Sequence, residues 1–227
     1  MQKNIAALIA VRAGSKRVPE KNIRKFGDSN LLEIKINQAL ALNNISGVYV
    51  SSDDEYMLST ASTLGATPLA RPPYYASDTV PMKEVYRYLA SEIECEHILY
   101  LHVTSPLLEN ETLLECVEKY KNLDSNYDSL ATVHSVKEYL WQDSKPINYD
   151  PFNHPRSQDL PEICALNFAA NILPREFMIE RGNIVGNNFC PYFLDEVQSV
   201  DIDTEFDFVI AEFLYQKLKL EKMKDNV

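Results

Sequence analysis

Residues 5–22 read Ile5-Ala6-Ala7-Leu8-Ile9-Ala10-Val11-Arg12-Ala13-Gly14-Ser15-Lys16-Arg17-Val18-Pro19-Glu20-Lys21-Asn22. A short, unbroken apolar run bounded by polar residues is the pattern of a parallel strand buried on both faces. The loop leaving such a strand sits at the carboxyl edge of the sheet, where open α/β folds place their ligands. Gly14 lets backbone approach a ligand closely, and Ser15 offers a hydroxyl and an N–H. Arg12, Lys16, Arg17 and Lys21 then place four cations within ten residues. That combination suits a polyanion such as a nucleoside triphosphate.

The charge balance sharpens the reading. The chain of 227 residues carries a net charge of −11, yet residues 1–26 hold Lys3, Arg12, Lys16, Arg17, Lys21, Arg24 and Lys25 against Glu20 alone. A local positive excess inside an acidic protein points to a focused anion site. It argues against nucleic acid, which calls for a basic domain or stripe. A solvated basic turn is the competing reading; the position directly after a buried strand favours the site.

The length fits one domain with an elaboration, and a hydrophobic fraction of 45% is ordinary for a globular core. No stretch approaches the roughly 18 uninterrupted apolar residues of a membrane helix. The run Ile5–Val11 leads into a charged loop and not a small-residue cleavage site, so no signal peptide is expected. Cys95, Cys116, Cys164 and Cys190 are widely spaced, without C-x-x-C, and read as buried thiols of a cytoplasmic protein.

Strand and helix patterns alternate along the chain, as in a parallel sheet covered on both faces. Strands are expected at 47–51, 67–70, 97–103 and 129–136, and helices at 31–42, 54–64, 81–93 and 110–121. Ser52 or Asp53 is the expected cap of the second helix, Ser77 to Thr79 the start of the third, and Gly65 a helix stop. Residues 137–191 break the rhythm: they are rich in Pro, Asn and Asp, hold Trp141, and show one clear strand at 169–173. The pattern resumes with a strand at 198–202 and a helix from Thr204. Thr204 and Asp207 resemble a capping box, and Phe206, Val209, Ile210, Phe213 and Leu214 form a stripe expected to be core.

Asp201-Ile202-Asp203 closes that last expected strand, where period-2 alternation puts both carboxylates on one side. Two carboxylates at a strand end make a hard-oxygen site for Mg²⁺, which also takes phosphate oxygens. The competing reading is a helix-capping acid beside a solvated one.

These pieces together resemble the acylneuraminate (CMP-sialic acid) cytidylyltransferase family. The resemblance rests on Arg12-x-Gly14-Ser15-Lys16-Arg17-x-Pro19-x-Lys21-Asn22, Ser51-Ser52-Asp53-Asp54-Glu55, Arg71-Pro72 with Ala76-Ser77-Asp78-Thr79, Thr104-Ser105-Pro106-Leu107, and Ser199-Val200-Asp201-Ile202-Asp203-Thr204-Glu205. They stand in the family's order over nearly the whole chain. The resemblance implies an α/β, Rossmann-like nucleotidyltransferase fold: a mostly parallel sheet flanked by helices, in one domain spanning 1–227. Within it, about 137–191 would form a dimerisation arm and part of the acceptor site.

The resemblance also implies a cytoplasmic homodimer that binds CTP with Mg²⁺ and transfers CMP to a nonulosonic, sialic-acid-like sugar acid, releasing pyrophosphate. Cell-surface polysaccharide biosynthesis is the setting it implies. The loop Arg12, Ala13, Gly14, Ser15, Lys16 and Lys21 would hold the triphosphate, with Arg12 and Lys21 stabilising charge in the reaction. Asn22, Arg71, Ala76 and Ser77 would contact the nucleoside, and Asp201 and Asp203 match metal-binding carboxylates. His102, Thr104, Ser105, Arg156, Gln158 and Asn167 fall on the acceptor side, with Arg156 matched to the acceptor carboxylate.

The departures from the family pattern lie on the acceptor side. His102 stands where the family has Gln, Leu108 where it has Arg, and Leu166-Asn167-Phe168 keeps only the Asn of Arg-x-Asn-Gly, with Ala165 at the Arg position. Two rival readings therefore stand beside the first. One is a CTP-dependent transferase for another acidic acceptor: a different sugar acid, a phosphonate or a phosphate ester. The other is a nucleotide-binding regulator without turnover. None of these readings involves nucleic acid or a membrane.

Overall fold

The structure, a computed structural model, describes residues 3–225. Its sheet contains β1 (Ile5–Ala10), β2 (Val48–Ser52), β3 (Thr67–Ala70), β4 (His97–Leu101), β5 (Ser129–Val136), β6 (Ile163–Pro174) and β7 (Phe189–Phe193). Their spatial order is β7-β5-β6-β4-β1-β2-β3. The pairs β4–β1, β1–β2, β2–β3 and β5–β7 are parallel, while β6 runs antiparallel to both β4 and β5.

The helices are α1 (Leu31–Leu40), α2 (Glu55–Leu64), α3 (Pro73–Ala76), α4 (Met82–Ser91), α5 (Asn110–Lys121), α6 (Arg175–Arg181) and α7 (Glu205–Asp225). The protein is therefore an α/β fold with a mostly parallel sheet between helices. The apolar run of β1 serves both faces. Ile5, Ala7 and Ile9 join the core under α1, α2, α5 and α7, and Ala6 and Leu8 join the core under α4 and α6. Burial on both sides explains why the run lacks polar alternation.

Several expected boundaries move, each for a local reason. Asp54, not Ser52 or Asp53, caps α2: its side chain accepts from the Met57 N–H at 2.9 Å. Gly65 ends that helix at φ +99°. Pro73 opens the four-residue α3, where a missing N–H costs nothing, and Ser77 closes it; α4 begins later, after Pro81. Cys164 is exposed and Cys95 partly so, while Cys116 and Cys190 are buried.

Residues 198–202 are not a strand. The Asp195 carboxylate accepts the N–H groups of Val197 and Gln198 at 2.9 and 2.8 Å and curls the chain into a turn. That local bond competes successfully with ladder formation. Residues 137–191 divide at about 162. The first part is irregular, with a two-residue ribbon pairing Trp141–Gln142 and Lys145–Pro146. The second part supplies β6, α6 and β7 to the main sheet and its covering.

The capping box at Thr204 forms, with the Thr204 N–H donating to Asp207 at 2.8 Å and the Asp207 N–H returning to Thr204 Oγ1 at 3.3 Å. The stripe behind it is not core. Phe206 (73% exposed), Val209, Ile210 and Phe213 face outward, and Leu214 is only partly buried. Phe208 and Ala211 are buried in their place. The rings of Phe208 and Tyr215 both lie 5.3 Å from that of the fully buried Phe26. A helix this rich in apolar residues offers two faces, and docking on Phe26 selects the second.

Gly182 ends α6 at φ +62°, and a Cβ there would run into the Lys83 carbonyl of α4. Gly182→Ala is therefore expected to destabilise by about 2–3 kcal/mol, against about 1 kcal/mol for Gly65→Ala, whose surroundings are open. Denaturant melts of the two variants check the difference. Equal losses would show that α4 and α6 do not meet so closely.

Candidate active site

The loop after β1 is pinned at both ends before any ligand is considered. The Ala13 N–H donates to Asp53 Oδ1 at 3.1 Å, and Asn22 Nδ2 donates to the Arg12 carbonyl at 3.1 Å. Gly14 takes φ +75° between them, a conformation that costs a glycine little. The loop cations meet acids from two other segments. Arg12 and Lys16 both reach Asp78 at 2.5 Å, and Arg17 reaches Asp203 at 2.8 Å. Hydrogen bonds from Lys16 and Arg12 hold the Asp78 carboxyl below its usual range. All these side chains keep solvent, and exposed pairs contribute little to stability. A polyphosphate can replace them at small cost.

Lys21 is the inner cation. Its Nζ donates to the Ile202 carbonyl at 2.7 Å. Burial lowers its pKa, and the nearby Asp201 and Asp203 partly restore it. Ile202 is itself fully buried, and its N–H donates to the Thr104 carbonyl at 2.9 Å. The segment Asp201-Ile202-Asp203 thus hangs at the carboxyl edge of the sheet without being a strand. Asp201 keeps some exposed surface, yet lost hydration raises its carboxyl above the usual range. A hydrogen bond from the Thr104 side chain pulls in the opposite direction, and repulsion from Asp203 adds to the rise.

A cavity of about 410 Å³ is lined by Arg12, Ser15, Lys16, Arg17, Lys21, Asn22, Tyr100, His102 and Thr104 among others. An adjoining chamber of about 330 Å³ shares Arg12, Tyr100 and His102 and adds Arg71, Tyr75, Ala76, Ser77 and Tyr86. Arg71 is buried and donates through Nη2 to the Val11 carbonyl, so part of its fork is already committed; its Nε has no partner. Ala13 and Gly14 line a smaller hollow of about 110 Å³ with Asp54 and Met57.

The acceptor-side residues separate. His102 and Thr104 line the main cavity, but Ser105 is fully buried with an unpartnered hydroxyl. Arg156 and Gln158 lie on an exposed 3₁₀ turn and line neither space. The Arg156 fork is filled by Asp159, at 2.6 and 3.1 Å. Asn167 sits in a bulge of β6, its Oδ1 accepting from the Ala169 N–H at 3.2 Å and its Nδ2 buried without a partner.

In the same bulge Phe168 takes φ +57°, which is strained for a bulky side chain, and its ring stacks on His102 at 6.1 Å. Burial lowers the His102 pKa to about 4, helped by the charges of Lys35 and Lys21, so its ring is neutral at pH 7. Three participants escaped the sequence reading. Asp53 and Asp78 were hidden by their resemblance to helix caps. Phe168 is foreshadowed only as the residue standing where the related pattern has Gly.

Cations gathered on a loop at the edge of an α/β sheet, with two carboxylates held beside the innermost of them, define a nucleotidyltransferase. Residues 6–151 match the cytidylyltransferase family, and the chain belongs to it. It is 30% identical to N-acylneuraminate cytidylyltransferase A of Danio rerio over 92% of its length, and spans about half of that protein. It is 29% identical to the pseudaminic acid cytidylyltransferase of Campylobacter jejuni, covering 94% of this chain and 97% of that one. The fold matches a solved CMP:2-keto-3-deoxy-manno-octonic acid synthetase complexed with CTP at TM-score 0.70 and 11% identity, covering 94% and 99% of the two chains.

The sign of the His102 effect follows from its lowered pKa. The folded chain binds the His102 proton less tightly than the unfolded chain, so acid favours unfolding. This contribution is lost as pH falls from about 6.5 towards about 4. His102→Gln should therefore lose less stability than the parent between pH 7 and pH 4.5, as read by thermal melts. Parallel losses would place the acid sensitivity elsewhere.

Proposed function

We propose that this protein transfers CMP from CTP to a nonulosonic, sialic-acid-like sugar acid, with release of pyrophosphate. The observation that carries the reading is a cavity lined by Arg12, Lys16, Arg17 and Lys21, two of which also hold the Asp201–Asp203 segment: Lys21 through the Ile202 carbonyl and Arg17 through Asp203. Triphosphate lies along the loop, and its negative charge takes over Arg12 and Lys16 from Asp78. Lys21, anchored against Ile202, meets the phosphates from below. An acceptor oxygen attacks the α-phosphorus and pyrophosphate leaves, with alignment and charge neutralisation supplying most of the rate. Arg71, Ala76, Ser77 and Asn22 are the nucleoside contacts in this reading.

The donor set suits Mg²⁺. Two carboxylates with phosphate oxygens and water match its preference for hard oxygen ligands. Lost hydration holds the Asp201 carboxyl above its usual range, a penalty that a bound cation would offset. Asp201 and Asp203 would hold the ion, which supplies charge neutralisation to the phosphates when bound. Arg17 would release Asp203 on the same occasion.

A different acidic acceptor is the second reading, and two observations favour keeping it. Arg156 is ion-paired with Asp159 outside the cavity, and the wall at His102 is a neutral ring stacked on Phe168. Intact Lys21, Asp201 and Asp203 speak against a regulator without turnover. The irregular part of 137–191 exposes Tyr139, Trp141, Ile147 and Phe152, which supports an arm covered by a second copy. Of the other aromatics there, Phe168 packs within its own chain and Phe177 against the core under α4.

Pyrophosphate release from CTP across sialic-acid-like sugar acids, other sugar acids, phosphonates and phosphate esters tests the reading. The expected result is turnover with a nonulosonic acid and a larger thermal shift with CTP than with ATP or GTP. Turnover only with a phosphonate or phosphate ester would replace the acceptor, and a larger purine shift would reject cytosine. Light scattering at assay concentration is expected to give a dimer; an active monomer would refute the arm.

A further inference from the structure

Lys35 lies on α1, outside every motif considered above, and none of its surface meets solvent. Its Nζ donates to the Ser105 carbonyl at 2.8 Å, and among the described residues no carboxylate pairs with it. A lone buried ammonium is costly, and an apolar side chain of similar length fills such a place at lower cost. The pKa is pushed down to about 7 by burial alone, which measures the same penalty. Gln38, one turn further along α1, donates to the Pro106 carbonyl at 3.2 Å and the Leu108 carbonyl at 2.6 Å. One face of α1 therefore grips three carbonyls of the segment that leaves β4.

That segment is the support of the acidic edge. Thr104, adjacent to Ser105, accepts the Ile202 N–H through its carbonyl and bonds Asp201 through its side chain. Ile202 has no strand ladder to hold it, since 198–202 curls away from the sheet. The position of Asp201 and Asp203 is consequently set by the Thr104–Ser105 turn on one side and by Lys21 on the other. A carbonyl displaced at Ser105 moves the point from which Asp201 hangs.

We infer that Lys35 is a positioning residue for the transfer reaction: it clamps the Ser105 carbonyl and, through Thr104, sets the placement of Asp201 and Asp203. The inference rests on the proposed cytidylyl transfer and metal site. A neutral amine also donates to a carbonyl, so the clamp persists whether or not Lys35 carries its proton. Lys35 lines neither cavity; it acts through backbone. Displacement of a charged ligand by a fraction of an ångström is enough to slow a reaction that depends on alignment.

Lys35→Met keeps length and removes the donor, Lys35→Arg keeps a donor, and Gln38→Leu releases the neighbouring carbonyls. Each is measured for melting temperature, for kcat and KM with CTP, and for binding of Mn²⁺ alone by electron paramagnetic resonance. The expected result for Lys35→Met is an unchanged or higher melting temperature, a kcat lowered at least tenfold, KM for CTP within threefold, and Mn²⁺ affinity weakened severalfold. Lys35→Arg should recover part of both losses, and Gln38→Leu should show a milder form of them.

Wild-type kcat and Mn²⁺ affinity in Lys35→Met overturn the inference, as do equal defects in Lys35→Met and Lys35→Arg. If Lys35→Met does not fold, an unaffected Gln38→Leu overturns it alone. Asp201→Asn separates the two levels of argument. Undiminished Mn²⁺ binding in that variant removes the metal reading, whereas loss there with no effect at Lys35 removes only the clamp.

Discussion

The hydrogen bond from Lys21 to the Ile202 carbonyl holds the site together. It joins the loop after β1 to a segment about 180 residues later that belongs to no strand or helix. On the other side of Ile202, its N–H is taken by Thr104 at the end of β4. Three distant pieces of chain are thereby brought to one edge, and the buried Ile202 side chain locks the middle one in place. Without this suspension the two acids would be mobile loop carboxylates, and the cations of the loop would face water.

Electrostatics then explains why an acidic protein gathers cations at one point. Asp78 and Asp203 occupy Arg12, Lys16 and Arg17, which keeps like charges from spreading the loop apart. These pairs are exposed and weak, so they shape the loop without sealing it. Lys21 is different, because burial and the neighbouring acids both act on its charge. In the proposed reaction the outer cations would capture the triphosphate and the inner one would align it. In the proposed reaction the neutral His102 ring, stacked on Phe168, would leave recognition of the acceptor to shape and hydrogen bonding more than to charge.

Legibility followed the physics of each element. β3 and β5 keep their expected limits because short runs between turn residues have only one way to pair. The cation loop was readable because its chemistry and its place after a buried strand coincide. The last strand failed because Asp195, four residues upstream of Ser199, offers the backbone a nearer partner than the sheet does. The stripe of α7 failed because apolar periodicity does not say which of two faces meets Phe26. Arg156 was matched to the acceptor carboxylate through the family resemblance, and the structure pairs it with Asp159, three residues on. Lys35 left no local signal, since its role depends on a turn 70 residues away.

The central claim is that the loop cations and the 201–203 carboxylates serve one nucleotide. Relaxation of the ³¹P signals of CTP in the presence of Mn²⁺ and the protein tests this directly, because paramagnetic broadening falls steeply with distance from the ion. The account predicts strong broadening of the CTP phosphates with the native protein. It predicts that broadening collapses in the Asp201→Asn, Asp203→Asn double variant, while CTP still binds to the loop. Undiminished broadening in that variant would put the metal elsewhere and contradict the account.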